Sequence, residues 1–97
     1  MHFVRHYIMD ARPGETERLR TTLMSLRDAV SAYPGSLHVD LLQTLASRER
    51  FIFIEHWDSK ESHAEAGKRL PADLMNSLKS TLAGPPQTTD LTAIEAD

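Results

Sequence analysis

The sequence predicts a single α+β domain with the order β-α-β-β-α-β, and three observations carry that expectation. Strand-like segments open the chain, form a pair in its middle and close it. Leu19, Leu23, Leu26, Val30 and Tyr33 recur at 4-3-4-3 spacing, which is one continuous helical face. Turn signals at Arg12-Pro13-Gly14, Pro34-Gly35 and Gly84-Pro85-Pro86 punctuate the chain between periodic segments.

His2–Met9 reads as the first strand, with Phe3, Arg5, Tyr7 and Met9 on one face and Val4, His6 and Ile8 on the other. The first helix runs from Glu15 to about Ser31 and stops at Pro34-Gly35. Ser36–Leu45 is the second strand, with Leu37, Val39 and Leu41 facing one way and His38, Asp40 and Leu42 the other. Ala46–Glu49 is a polar turn, so the third strand, Arg50–Trp57, returns antiparallel. Asp58 is the expected N-cap of the next helix, Ser59–Arg69, with Glu61 completing a capping box. Pro71–Leu82 continues as a second helical piece, since proline is comfortable in a first turn. Thr88–Glu95 closes the chain as a strand. This order is the ferredoxin-like arrangement, one antiparallel sheet with helices on one face. Leu42, Ile52 and Ile54 then lie on the uncovered face, and a second copy of the sheet is the economical cover, which predicts a homodimer.

Composition narrows the function classes. The 97 residues suffice for one domain, 1–97, with ordinary globular proportions of 40% hydrophobic and 26% charged residues. A net charge of −3 with no basic cluster argues against nucleic acid as a partner. The absence of cysteine excludes disulfides, thiolate metal sites and cysteine nucleophiles. No apolar run reaches the roughly 20 residues of a membrane span, and the N-terminus lacks a signal-peptide core, so a cytoplasmic protein with no membrane partner is expected.

Tyr33-Pro34-Gly35-Ser36, the apolar run 51–54 and Glu55-His56-Trp57-Asp58-Ser59-Lys60-Glu61 give the chain a specific likeness. With this element order it resembles the antibiotic biosynthesis monooxygenase (ABM) family, whose members are dimeric α+β barrels on the ferredoxin-like fold. The resemblance implies a cofactor-independent monooxygenase or, in other members, haem degradation. Two features depart from the family pattern. A histidine common nine or ten residues after the tryptophan is replaced by Ala66 and Gly67. The Asn–Trp–His set of the haem-degrading members is absent, with Tyr7 near the asparagine position and no tryptophan at the helix position.

Several residues are candidates for chemistry. His63 shares a helical face with Ala66, Gly67 and Leu70, which points its imidazole inward, where it can take a phenolic proton near neutral pH. The bland alternative is a structural histidine bonded to backbone or water. Tyr7 and Trp57 fit the wall of an aromatic pocket, the tyrosine hydroxyl bonding a substrate oxygen, though core packing accounts for Trp57 equally well. Glu55 shares that face and needs a partner, for which Arg5 on the first strand is the expected ion pair. Catalytic roles are therefore expected for His63 and Tyr7, and substrate-binding roles for Trp57, Glu55 and Arg5. His38, Asp40 and His56 share the opposite face. Ligands at i and i+2 of one strand are about 6–7 Å apart, which suits a zinc ion poorly, so a polar cluster at the dimer interface is expected rather than a metal site.

The leading functional expectation is oxygenation of a small aromatic, quinol or polyketide-like substrate by O2, with no cofactor, since no phosphate loop or flavin fingerprint is present. A non-catalytic dimeric module that binds a small ligand is the main alternative, and an isomerase or cyclase using the same pocket is a third.

Overall fold

The computed structural model describes residues 2–94. Its elements are β1 (Phe3–Asp10), α1 (Thr16–Ser31), β2 (Ser36–Gln43), β3 (Arg50–Trp57), α2 (Lys60–Gly67), α3 (Ala72–Thr81) and β4 (Gln87–Thr92). The strands form one antiparallel sheet in the order β2-β3-β1-β4. This is the expected ferredoxin-like α+β architecture, with the second helical layer broken into α2 and α3. Proline at position 71 ends one piece and begins the next, because a ring in place of an amide is harmless only in a first turn.

The core is built by parity. Phe51, Phe53, Glu55 and Trp57 of β3 all point to the helical side and are buried, while Ile52, Ile54 and His56 between them are only half-buried. The α1 stripe meets this layer through Leu19, Leu23, Leu26 and Val30, all buried. Tyr33, the last residue of the stripe, lies at its edge and donates its hydroxyl to the Arg69 carbonyl at 2.7 Å. Met75 packs against the core as a flexible filler, whereas Met24 on α1 is 45% exposed.

Four local expectations are corrected. Ser59, not Asp58, caps α2: its hydroxyl accepts from the Ser62 amide at 3.1 Å. The Asp58 amide is still bonded to the Gly35 carbonyl at 2.8 Å, which keeps Asp58 in the strand-end turn and delays the helix by one residue. In β2 the ladder shifts register between Ser36 and His38, a bulge that leaves Leu37 outside the alternation and 56% exposed. β2 also ends at Gln43, so Leu45 falls in the following turn. The last strand is Gln87–Thr92; Ile94 lies beyond it, and Glu95 lies outside the described residues.

Gly35 is required where α1 hands over to β2. Its φ is +89°, and a Cβ there would stand 2.5 Å from the Ser62 hydroxyl oxygen. This close approach sets the end of β3 and the start of α2 against the α1–β2 turn.

Candidate active site

The helical side of β1 and β3 carries four side chains of the candidate site, Arg5, Tyr7, Glu55 and Trp57. Alternation puts Arg5 and Tyr7 on the same side as Glu55 and Trp57, and the register sets Arg5 opposite Glu55 and Tyr7 opposite Phe53. Tyr7 and Glu55 are therefore diagonal neighbours on adjacent strands, a spacing that long side chains can bridge. The third member arrives from α2. His63 lies in the second turn after the Ser59 cap and stacks over the sheet edge-on to Trp57, with ring centres 5.8 Å apart.

These side chains meet. Tyr7 Oη lies 3.3 Å from His63 Nε2, and Glu55 Oε1 lies 3.6 Å from the same nitrogen. Trp57 Nε1 donates to Glu55 Oε1 at 3.0 Å. When the imidazole carries its proton on Nδ1, Nε2 accepts from the Tyr7 hydroxyl. When Nε2 is protonated it faces two oxygens, and a carboxylate is the stronger acceptor.

Burial tunes all three groups. It raises the Tyr7 pKa to about 12, with the nearby Glu55 charge adding to the effect and Arg5 opposing it. Burial also raises the Glu55 carboxyl above its ordinary range, against the stabilising Trp57 hydrogen bond and the charge of Arg5. His63 is pushed down, first by burial and then by the charge of Arg5, so the imidazole is neutral at pH 7. The site thus holds a protonated phenol beside a neutral imidazole, a donor and a base in contact.

A cavity of about 140 Å³ adjoins them, lined by Tyr7, Phe53, Glu55, Leu70, Met75 and Leu78 among others. Cavities of about 150 Å³ lined by apolar side chains take a single benzene-sized ring. Tyr7 and Glu55 reach this wall, whereas His63 and Trp57 stand behind it. Trp57 is 1% exposed: it packs in the core and its indole N–H holds the Glu55 carboxylate. A larger cleft of about 320 Å³ lies on the far side of α2, between Tyr33, Pro34, Glu61, Ser62 and Glu65, away from this cluster.

Arg5 does not pair with Glu55 as expected. β4 places Asp90 opposite Arg5 on the other side of β1, and the guanidinium bonds it at 2.8 Å. Asp90 is partly exposed and keeps its hydration, so the pair forms there without burying a second charge. The guanidinium carbon lies 5.4 Å from the centre of the Tyr7 ring, and Arg5 Nε is buried without a hydrogen-bond partner. Asp90 escaped the sequence reading because its neighbour is set by strand order, which alternation within one strand does not reveal. Leu70 stood on the His63 face in the sequence, but its place beside Met75 and Leu78 in the cavity wall did not show there.

Among the described residues no group of three or more histidines and acids is arranged to hold a metal ion, and no helix is long and apolar enough to cross a membrane.

Comparison with known proteins gives a family. The structure is similar to that of a Nitrosomonas europaea protein assigned as an antibiotic biosynthesis monooxygenase, with 16% identity, a TM-score of 0.87 and coverage of 96% of this chain and 90% of that one. A Chloroflexus aurantiacus protein with the same assignment is 22% identical, with a TM-score of 0.84 over 100% and 97% of the two chains. SnoaB, a cofactor-independent oxygenase from Streptomyces nogalater, is 12% identical, with a TM-score of 0.84 over 98% and 95%. No curated protein matches the chain in sequence. At these identities the structural likenesses establish the fold, and the sequence itself matches the antibiotic biosynthesis monooxygenase model over residues 1–69. The chain belongs to the antibiotic biosynthesis monooxygenase family.

Proposed function

We propose that this protein is a homodimeric, cofactor-independent monooxygenase for a small aromatic, quinol or polyketide-like substrate. The observation that carries the reading is the part-buried contact between Tyr7 and His63 beside a ring-sized cavity. SnoaB, which shares the fold, is a cofactor-independent oxygenase.

The chemistry follows from the protonation states. An activated CH2 beside the bound ring loses a proton to neutral His63 through Tyr7. The resulting carbanion passes one electron to O2, and the radical pair combines as a peroxide anion, C–OO−. Loss of water from that group, with the proton returned by the imidazolium, leaves a C=O. One O2 is consumed and one water is released, so the substrate supplies all the electrons. Tyr7, protonated at neutral pH because its pKa is about 12, donates to the substrate oxygen as charge develops. Arg5 acts through Tyr7, whose ring its guanidinium overlies at 5.4 Å. Trp57 acts by holding Glu55.

The dimer is supported by the uncovered face of the sheet, where Leu42 is 52% exposed and Ile8, Ile52 and Ile54 are half-buried. A second reading, a non-catalytic module binding a small ligand, is favoured by one observation: His63 stands behind Tyr7 and does not line the cavity.

Oxygen uptake by the purified protein against hydroquinones, naphthols and anthrones tests the proposal, with products identified by mass spectrometry. The expected result is uptake above autoxidation, reduced about 10²–10⁴-fold in His63→Ala and also reduced in Tyr7→Phe. Its acid limb lies below the ordinary histidine range, because His63 is pushed down. Saturable ring binding without uptake in any case would instead establish the binding module.

A further inference from the structure

Four of the five histidines, all except His63, gather on the face of the sheet that no helix covers. His38 and His56 stand opposite each other on β2 and β3, with ring centres 5.6 Å apart. The ring of His2 lies 5.8 Å from that of His56. His6 shares the face through β1, where it pairs with Ile54. Between the first two sits one acid, Asp40, with Oδ1 2.8 Å from His38 Nε2 and Oδ2 3.5 Å from His56 Nε2.

The remaining charges on this face balance one another. Asp10 and Arg50 close its far end as a bidentate pair at 2.8 and 3.0 Å. β4 presents Gln87, Thr89 and Leu91, none of which titrates near neutral pH. The rest of the face is apolar: Val4, Ile8, Leu42, Ile52 and Ile54. Neutral imidazoles complete an apolar, hydrogen-bonding surface. Protonated ones place more positive charge on it than Asp40 alone can balance.

We infer that this face binds a second copy of the chain while its imidazoles are neutral, and that protonation of the His38–Asp40–His56 cluster releases that copy. The inference rests on the homodimer of the proposed function and adds the proton as its regulator. The occupant is argued from size. Strand spacing and rise make the face roughly 20 by 25 Å, so two copies bury on the order of 1,000 Å², the lower bound for a specific interface. An interface at that bound has little reserve against buried charge. A two-fold axis also brings both copies of the cluster to the interface at once.

The sign follows from linkage. Burial against a second copy disfavours the imidazolium, so the separated chains bind protons more tightly than the dimer does. Acid therefore favours dissociation. Each linked proton raises the dissociation constant by up to tenfold per pH unit.

Sedimentation equilibrium of the full chain at about pH 7.5 and about pH 5.5 tests this. Wild type, the double variant His38→Gln/His56→Gln and Leu42→Glu are compared, each checked for folding by circular dichroism. The expected result is a dimer whose dissociation constant rises at least about tenfold at the lower pH. The double variant dimerises with most of that dependence lost, and Leu42→Glu is monomeric at both pH values. A dimer equally tight at both pH values overturns the gate and leaves the dimer standing. A chain monomeric throughout overturns both. Full pH dependence in the double variant, an intact dimer in Leu42→Glu, or dissociation that merely tracks unfolding also overturns the gate.

Discussion

The two faces of one strand, β3, make different use of the same alternation. Phe51, Phe53, Glu55 and Trp57 face the helices, are buried, and include one carboxylate held by an indole N–H. Ile52, Ile54 and His56 face away, are half-buried, and bring an imidazole to within 3.5 Å of Asp40. The first face has traded hydration for shifted proton affinities. The second stays half-exposed, and no helix among the described residues covers its apolar content. One strand thus presents a desolvated polar cluster on one side and a half-buried apolar face on the other, and burial separates the two.

The largest effect that separates the faces is in stability. Phe53→Ala removes a fully buried ring and is expected to cost about 3–5 kcal/mol by urea denaturation. Its neighbour across the sheet, Ile54→Ala, is expected to stay near 1 kcal/mol when measured on the monomer. Comparable losses from both would mean that the outer face is already packed in the single chain.

Next comes the junction that positions α2 over the inner face. Gly35→Ala combines a positive φ with a contact at 2.5 Å to Ser62 and is expected to cost about 1–3 kcal/mol. Gly84→Ala, with open space around it, is the matched control and is expected to be near neutral.

A smaller effect reports on Glu55. Its folded-state pKa lies above the unfolded value of 4.5, so the folded protein binds this proton more tightly. Stability contributed by Glu55 is present below pH 4.5 and is lost as pH rises through the elevated folded value. Glu55→Gln still accepts from Trp57 and cannot ionise, so the difference between variant and wild type is expected to grow in the variant's favour across that window. An unchanged difference from acid to neutral pH would show that Glu55 is not desolvated.

The smallest effect is expected at the edge. Asp90→Asn removes the partner of Arg5 from a part-exposed pair and is expected to change stability by no more than about 1 kcal/mol. A larger loss would make Asp90 part of the inner face.

Much of this molecule was legible before folding, because the signals are local. Alternation placed Arg5, Tyr7, Glu55 and Trp57 on one side, and helical spacing assembled Leu19, Leu23, Leu26 and Val30 against them. Proline and glycine marked the breaks, since their backbone limits act wherever they stand. What depends on two segments at once needed the tertiary structure. Strand order gave Arg5 to Asp90 rather than Glu55, a bulge turned Leu37 outward, and the Asp58–Gly35 hydrogen bond moved the α2 cap to Ser59. The meeting of Tyr7 with His63 is of the same kind. A periodicity states which way a side chain points, while a distance of 3.3 Å depends on how a helix settles on a sheet, and packing across the whole core decides that.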